Sequence, residues 1–597
     1  MILYKNFCEE LAVKKLLLSL LVVLSVSAVF AAQSDFSVMD YGATADGVTD
    51  CTEAFQKALD AAFAMGGGNV FVPTGDFAFQ GTLKIKSGVF LVGTHQAPPA
   101  NRNDHFSQQN KTYNGSVLKV YAGKNKPESD AFITMEGSNC GVKGLIVVYP
   151  EWAQATVPPI PYPPCIAGYV GDNQNVIDCQ LVNPYEGIRL VGVGRSYIRG
   201  VYGYPIKRGL YIDKCYDISR VENCHFWPFG VAYDQTEKYC EWINKNGVAF
   251  EFARTDWQYV ANCFCFGYGA GYKFSASDAG SCNGNFLGLG ADCCTNSVLV
   301  EACQAPGLLF TNGEFVGRWS SSDSCPVNIL KTASGKVSLA NCSFWGPINT
   351  CIRTASPDGL LSVVGCHFES WNTAAIEMNG GNGVIQGNTF NEKVPQIVLG
   401  KATKSAIVTG NMCPTGIRID NRIGSRAQIS LNSGGLPDEL TAEQKKNYLI
   451  DVGASHDSMF LTNFYGGEAA GEFKTGGTKR WSNKNEKITL PVNKNTRYTV
   501  TFDIYVPEMA FEAGCGMMLN GKLVLPVKKA GENHVYCVVN SGNNTELVFS
   551  PKFKYWNPKD TGSADDRWIG IGLREIKVIS DPKAKVFSAN NMDYLTE

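Results

Sequence analysis

Two aspartates in the middle of the chain, Asp256 and Asp278, have the spacing of a catalytic pair. Each follows, by four residues, a phenylalanine that ends a short strand pattern, and the two lie 22 residues apart. If 22 residues make one turn of a stacked fold, the two carboxyls lie on strands about 4.8 Å apart. They then approach the ~5–5.5 Å separation of a retaining glycosidase, or the wider separation of an inverting one. The alternative is structural, because aspartates at strand ends often bind only the local backbone.

The strand pattern that carries these aspartates repeats along the chain. "GIRL" begins at residue 187, "GLYI" at 209, "AFEF" at 249 and "GYKF" at 271, and "CIRT" and "AIEM" follow at 351 and 375. Because side chains alternate along a strand, the residue between two inward apolar residues faces outward. This predicts an exterior column of Arg189, Tyr211, Glu251, Lys273, Arg353 and Glu377.

This column supplies further candidates for the site. The other candidate acids are Glu251, Asp213 (two residues beyond Tyr211) and Asp292, which lies in "GLGADCC". Glu251 above Lys273 also fits a surface ion pair, which contributes little to stability. The residues expected to contact substrate from this side are Arg189, Tyr211, Lys273 and Arg254.

A second repeat interleaves with the first. Segments such as "VIDCQLVN", "VENCHFW", "LANCSFW" and "IQGNTFN" share one slot after an Asn, Asp or Gly. The slot holds Cys179, Cys224, Cys263, Cys342, Cys366, Asn388 and Asn411, and more loosely Val201, Gly284 and Gly313. Just beyond the slot we expect substrate-binding side chains at His225, Trp227, Glu314 and Trp345. Exposed aromatic rings suit sugars, although inserted loops could instead bury them.

The period of these repeats predicts the fold. The last three intervals between slot residues are 24, 22 and 23 residues. A fixed period near two dozen residues with short alternating strands is typical of a solenoid, in which each repeat buries its face against its neighbours. The Leu-x-x-Leu-x-Leu pattern of leucine-rich repeats is absent. The sequence therefore predicts an all-β chain built on a parallel β-helix.

The N-terminal segment resembles a known family. "FSVMDYGATADGVTDCTEAFQKALDAA" and "GGGNVFVPTGDFAFQGTLKIKSGVFLVG" are similar to the opening of the rhamnogalacturonase/epimerase-like pectate lyase superfamily. The resemblance implies a right-handed parallel β-helix over residues 35–430, with chemistry directed at carbohydrates, usually polysaccharides. The signature motifs of true polygalacturonases are absent.

The same segment contains a predicted capping helix. Thr49 or Asp50 is placed to N-cap a helix with apolar residues at Phe55, Leu59 and Phe63. This helix would cover the open end of the solenoid and protect its edge. Asp46 and Asp50 are therefore interpreted as structural residues.

Beyond residue 430 the period stops. Residues 431–447 read as a linker, and alternating strands over 448–597 predict a C-terminal β-sandwich. This module is interpreted as carbohydrate-binding, or alternatively as a packing or oligomerisation module with no sugar site. The oligomeric state itself is not indicated.

Composition and targeting limit the partners. With 53 basic and 55 acidic residues the net charge of −2 predicts no nucleic-acid partner. Residues 1–31 have the layout of a secretory signal, and no second hydrophobic span follows, so we expect export to the periplasm, cell surface or medium.

The 21 cysteines are expected to be mostly free thiols with one or two bridges. No metal or other cofactor is predicted, although clustered Asp and Asn leave calcium open.

Three functions remain open at this point. The first is a secreted glycoside hydrolase that uses Asp256 and Asp278. The second is a polysaccharide lyase or epimerase acting on uronates, with Lys273, Arg254 or Tyr211 as the proton-abstracting group. The third is a non-catalytic carbohydrate-binding β-helix or adhesin, since a fold does not fix a function.

Overall fold

The computed structural model describes residues 14–15, 36–96, 113–229, 234, 236–318, 324–346, 348–391, 395–414, 416–433, 440–453 and 457–582. The chain divides into two compact units, Met1–Trp242 and Ile243–Glu597, which are taken in turn. Apart from Lys14 and Lys15, the predicted signal segment 1–31 lies outside the described residues. Within the described ranges, no helix has both the length and the apolar character needed to cross a membrane.

The first unit winds through three parallel sheets, which we name A, B and C in the order in which each turn visits them. Sheet A consists of Phe36–Ser37, Gly68–Phe71, Val89–Val92, Gly141–Lys143, Asn175–Ile177, Tyr197–Arg199 and Arg220–Glu222. Sheet B consists of Asp46–Asp50, Gly75–Phe79, Ser116–Val120, Ile146–Val148, Gln180–Val182, Tyr202–Gly203 and His225–Phe226. Sheet C consists of Leu83–Ile85, Ile133–Met135, Pro164–Gly168, Glu186–Val191 and Arg208–Asp213. The two helices of this region are Thr52–Ala64 and Lys238–Asn246.

The second unit has parallel sheets visited in the same order. Sheet A comprises Gln258–Ala261, Gly284–Leu287, Leu308–Thr311, Lys336–Ala340, Leu360–Val364, Asn382–Gln386, Ser405–Thr409 and Ala427–Ser430. Sheet B comprises Phe264–Phe266, Gly290–Cys294, Glu314–Gly317, Ser343–Trp345, His367–Phe368 and Thr389–Phe390. Sheet C comprises Val248–Phe252, Ala270–Phe274, Asn296–Val300, Val327–Ile329, Thr350–Thr354, Ala374–Met378, Ile397–Leu399 and Ile419–Asn421. This winding is the right-handed parallel β-helix that the sequence predicts.

The predicted capping helix is present, with a different N-cap. It runs over Thr52–Ala64, and the N-cap is Cys51, which makes no side-chain cap bond. The prediction of Thr49 or Asp50 is wrong because both residues still belong to the preceding strand. Asp50 nevertheless accepts hydrogen bonds from the Thr52 N–H and hydroxyl at 3.1 and 2.6 Å. Its carboxylate therefore fastens the start of the helix.

One face of this helix packs against aromatic side chains from the first turns of the β-helix. Phe55 is fully buried and packs edge-on against Phe77 and Phe79, with ring centroids 5.3 and 4.9 Å apart. Leu59 is buried as predicted, whereas Phe63 is 43% exposed under the Lys86 ammonium. The buried stripe is therefore narrower than the sequence pattern indicates.

Asp46 has a local structural role. Its carboxylate accepts the N–H groups of Val48 and Thr49 at 2.8 Å each and the Thr49 hydroxyl at 2.7 Å. The Thr49 hydroxyl, and with it these N–H groups, lowers the pKa of Asp46 to about 2. Asp46, which lies within the family-like segment, thus organises the local backbone.

The slot residues of the second repeat are buried beside a left-handed turn. Asn223, Asn262 and Asn341, each just before a slot cysteine, have φ between +52° and +53°. Asparagine tolerates this conformation better than most side chains. The loose assignment of Gly284 is wrong, because Gly284 lies within a strand and Leu289, after Gly288, occupies the slot. Leucine gives no polar signal from which the slot could be recognised.

Two kinds of polar side chain, cysteine and asparagine, recur in this slot and form different hydrogen bonds. Cysteine thiols donate to the carbonyl two residues earlier, as Cys179 does to Ile177 at 3.2 Å. Further on, asparagines form a buried ladder in which Asn388 donates to Asn411 and Asn411 to Asn432, each at 2.9 Å. Both arrangements satisfy backbone groups that would otherwise be buried without partners.

The described cysteines form no disulfide bonds. There are twenty of them, and all but Cys537 are buried. The predicted one or two bridges are therefore absent among the described residues. These thiols act as small core residues, as the rest of the prediction states.

The C-terminal part of the second unit is an antiparallel module. Its strands are Asn447–Asp451, Leu461–Phe464, Glu468–Ala469, Thr478–Pro491, Arg497–Val506, Gly516–Leu519, Lys522–Pro526, Gly531–Asn540, Glu546–Lys552 and Gly572–Ser580. The long strand Thr478–Pro491 pairs with Gly572–Ser580 near its start and with Glu546–Lys552 near its end. Phe502 and Phe549, from the two resulting sheets, meet edge-on at 5.0 Å inside the core. This is the predicted β-sandwich.

Candidate functional site

The predicted exterior column is confirmed by strand register. In the first unit Arg189 pairs with Tyr211 on sheet C. In the second unit Glu251 pairs with Lys273, and Arg353 with Glu377. The alternation of the repeat therefore identified the outward face of sheet C correctly.

The first unit gathers five of these outer-face side chains into one group, which we name the Tyr211 patch: Glu186, Arg189, Arg208, Tyr211 and Asp213. The Glu186 carboxylate forms ion pairs with Arg189, at 2.5 Å, and with Arg208. Only 11% of its side chain is exposed. Glu186 and Arg208 face each other directly on adjacent strands. The carboxylate thereby holds both guanidinium groups over sheet C.

Tyr211 lies at the centre of the patch. Its hydroxyl donates a hydrogen bond of 3.2 Å to Asp213, and the Arg208 guanidinium lies 4.3 Å from its ring centre. Asp213 is only 4% exposed, and its other oxygen accepts the Lys214 N–H at 2.8 Å. A phenol with a carboxylate acceptor and a cation over its ring has the parts of a proton-abstracting group.

In the second unit, Lys273 lies between two acids. Its ammonium is 3.4 Å from Glu251 and 3.3 Å from Glu301. Glu251 is nearly buried, at 8% exposure. The arrangement matches the surface ion pair that the sequence left open as an alternative.

Asp256 belongs to a polar cluster at the turn after Val248–Phe252. Its carboxylate pairs with Arg254 and accepts the side-chain amides of Gln304 at 2.8 Å and Asn283 at 3.4 Å. Burial alone would raise its pKa, but these hydrogen bonds and the Arg254 charge outweigh burial and lower it. Asp256 is therefore held ionised, a state that does not suit a general acid.

Asp278 occupies a different local structure. The strands Ala276–Ser277 and Gly280–Ser281 form an antiparallel hairpin, and Asp278 lies exposed in its turn. The register that aligns Phe252 with Phe274 therefore does not continue as a strand to Asp278. The two aspartates do not occupy equivalent positions on successive turns.

The remaining predicted residues lie on sheet B. Burial lowers the pKa of His225 to about 4 and raises that of Asp292. Trp227 packs against an apolar cluster that includes Tyr204, and Trp345 donates to Glu314 at 2.9 Å. None of these side chains joins the Tyr211 patch, because that patch lies on sheet C.

The N-terminal segment is similar to a known protein family. Residues 36–153 match the family described as "Rhamnogalacturonase A/epimerase, pectate lyase-like". These residues form the capping helix and the first turns of the β-helix. The matched residues make up about a fifth of the chain. The matched segment ends before Glu186, so it contains no residue of the Tyr211 patch.

Individual relatives cover short stretches of the chain. Mannuronan C5-epimerase AlgE5 of Azotobacter vinelandii is 33% identical over 119 residues, which are 19% of this chain and 12% of the epimerase. Alginate lyase 7 of the same organism is 46% identical over 66 residues, 10% of this chain and 8% of the lyase. Plasmin and fibronectin-binding protein A of Streptococcus pneumoniae is 45% identical over 66 residues, 11% and 9% of the two chains. The chain therefore spans about a tenth of the length of these curated relatives.

The described residues contain no cluster of three or more His, Cys, Asp or Glu side chains that could hold a metal ion.

Sequence reasoning missed Glu186 and Arg208. Both lie directly before the glycine of their repeat, in "YEGIRL" and "KRGLYI", and 22 residues apart. Residues of opposite charge at that position on successive turns were the signal from which this ion pair could have been predicted. Trp257, next to Asp256, was also missed.

Proposed function

We propose that this chain abstracts the C5 proton of a uronate residue in an acidic polysaccharide, as a lyase or a C5-epimerase does. The single observation that carries the proposal is the hydrogen bond from Tyr211 to nearly buried Asp213 beneath the Arg208 guanidinium. The mannuronan epimerases and the alginate lyase among its relatives support mannuronan or alginate as the polymer class. Mannuronan is a polymer of mannuronic acid, so its units carry the required carboxylate.

In the proposed reaction, the residues of the patch move two protons and stabilise one developing charge. The Tyr211 oxygen takes the C5 proton while its own proton moves to the Asp213 carboxylate. The electron pair left at C5 delocalises into the substrate carboxylate, whose growing charge Arg189 and Arg208 stabilise. The Arg189 guanidinium has five N–H donors, so its pairing with Glu186 leaves donors for a substrate.

Two outcomes follow from the carbanion. In the lyase reaction, the oxygen linked to C4 is expelled with the proton held by Tyr211, Asp213 returns the phenol proton, and a C4–C5 double bond forms as the chain is cleaved. In the epimerase reaction, water gives a proton to the opposite face of C5, which inverts that centre and leaves the chain intact, and the hydroxide that remains takes up the proton abstracted by the patch. Hydrolysis by Asp256 and Asp278 is less well supported, because one is ion-paired and the other lies in a separate hairpin turn.

The test measures both outcomes at once. The purified chain is incubated in D₂O with mannuronan, alginate and polygalacturonate, recording ultraviolet absorbance of the unsaturated product and deuterium at C5 by NMR. Tyr211→Phe should reduce either signal by about 10²–10⁴-fold, the usual contribution of a positioned base. Tyr197→Phe is the matched control and should keep full activity, because Tyr197 also donates to a carboxylate, that of Glu222 at 2.9 Å, but lies on sheet A of the same unit. Reducing ends without unsaturation, or no change in any polymer, would overturn the proposal.

A further inference from the structure

Trp257 presents an indole ring to solvent from a strained backbone. It is 61% exposed, and its φ is +52°, a conformation uncommon for large side chains. The backbone N–H of Trp257 donates a hydrogen bond of 3.1 Å to the side-chain oxygen of Asn283, which comes from the following turn. Core packing does not account for this conformation, because the ring packs into no core.

The indole forms one wall of a surface pocket of about 290 Å³ in the second unit. Tyr259, Asn285 and Leu309 lie side by side on three adjacent strands of sheet A and form its base. Pro306 and two glycines complete the lining. None of the lining side chains is charged.

The pocket stands on a rigid polar support. Asn283, which holds the Trp257 backbone, also donates to Gln304 at 2.7 Å. Gln304 in turn donates to Asp256 at 2.8 Å, and Asp256 is ion-paired with Arg254. The backbone that carries the indole is therefore held in place before any ligand arrives, which reduces the entropic cost of binding.

We propose that this pocket binds a pyranose ring of a polysaccharide. The apolar C–H face of the sugar stacks on Trp257 and Tyr259, and its hydroxyls pair with the exposed Asn285 amide. An uncharged lining offers no counter-ion for a phosphate or a lone carboxylate. The volume lies near the lower limit for small-ligand sites. This binding site does not depend on the chemistry of Tyr211.

The experiment uses the full chain carrying Tyr211→Phe, so that turnover does not interfere. Neutral oligosaccharides (gluco-, manno- and galacto-configured) and mannuronan oligosaccharides are titrated by calorimetry. Trp257→Asn should weaken binding of the neutral oligosaccharides by about tenfold, because asparagine keeps the left-handed backbone but removes the ring. Trp257→Phe should retain most of the affinity.

Ile407→Ala is the control, since Ile407 is an apolar side chain 44% exposed on sheet A of the same β-helix but outside the pocket. It should bind like the parent. Equal affinity of the parent and Trp257→Asn overturns the proposal, as does a parent that binds no oligosaccharide. Loss of catalysis in Tyr211→Phe leaves this result unaffected, so the two proposals fail separately.

Discussion

The Tyr211 hydroxyl donates its hydrogen bond to Asp213, two residues further along the same strand, at 3.2 Å. Residues i and i+2 of a strand lie on the same face, so the backbone itself brings phenol and carboxylate together. Arg208 covers the ring from the same strand. The strand Arg208–Asp213 thus carries the phenol that takes the substrate proton, the carboxylate that receives the phenol proton, and a cation.

Replacing Asp213 tests the relay. Asp213→Asn retains a hydrogen-bond acceptor for the phenol but cannot accept its proton. We expect kcat on the active uronan to fall about 10²-fold with little change in KM. An unchanged kcat would show that Asp213 only orients Tyr211.

The asparagine ladder should contribute substantially to stability. Asn411 accepts from Asn388 and donates to Asn432 and to the Ile385 carbonyl. Asn411→Ala leaves these buried groups unpaired and should cost about 3 kcal/mol. Asn411→Cys should cost less, because cysteine fills the same slot on other turns.

Urea unfolding midpoints of the two variants measure this difference. Asn372→Ala is the control, since it removes an exposed Asn–Asn contact of 3.3 Å in the same β-helix and should shift the midpoint little. Equal shifts for Asn372→Ala and Asn411→Ala would contradict the role of the ladder.

A buried ion pair in the second unit should show strong coupling. Arg480 and Asp457 form two hydrogen bonds of 2.6 and 2.9 Å, with side chains only 4% and 1% exposed. Arg480→Met leaves a buried carboxylate and should cost about 3–5 kcal/mol. The double variant Arg480→Met, Asp457→Leu should recover most of this loss.

A double-mutant cycle by thermal or urea unfolding checks the pair. Additive effects of the two single substitutions would mean that Asp457 and Arg480 are stabilised independently.

Acid should destabilise the first unit through His225. Burial lowers its pKa to about 4, below the ordinary value of 6.5, so the unfolded chain binds the proton more tightly. Stability from this group is present above pH 6.5 and is lost as the pH falls towards 4. His225→Gln should flatten the stability profile across that window. If the stability profile of His225→Gln is identical to that of the parent, groups other than His225 cause the acid sensitivity.

The sequence predicts the periodic parts of this molecule well. The outward positions of Arg189, Tyr211 and Lys273 follow from a repeat of 22 residues, because parallel register carries each position onto the next turn. The slot of Cys342 and Cys366 follows from the left-handed turn before it, where Asn or Gly recurs.

The turns are where the prediction fails. Asp256 and Asp278 have equal spacing, but "SASDAGS" closes its own hairpin after Phe274 and removes Asp278 from the stack. The support of Trp257 by Asn283 joins residues of different turns through side-chain bonds. Such bonds have no period in the sequence, so the pattern does not reveal them.

The slot cysteines have a consequence for how this protein loses activity. Nineteen of its thiols are buried, and Cys342 and Cys366 are close enough for the Cys342 N–H to approach the Cys366 sulfur at 3.4 Å. While the sheets stay closed, oxidants in solution do not reach these sulfurs. Once a turn opens, neighbouring thiols are released together and cross-link in air. Heating should thus inactivate the protein irreversibly under oxygen and reversibly under a reductant, so its working lifetime is set by an unfolding rate.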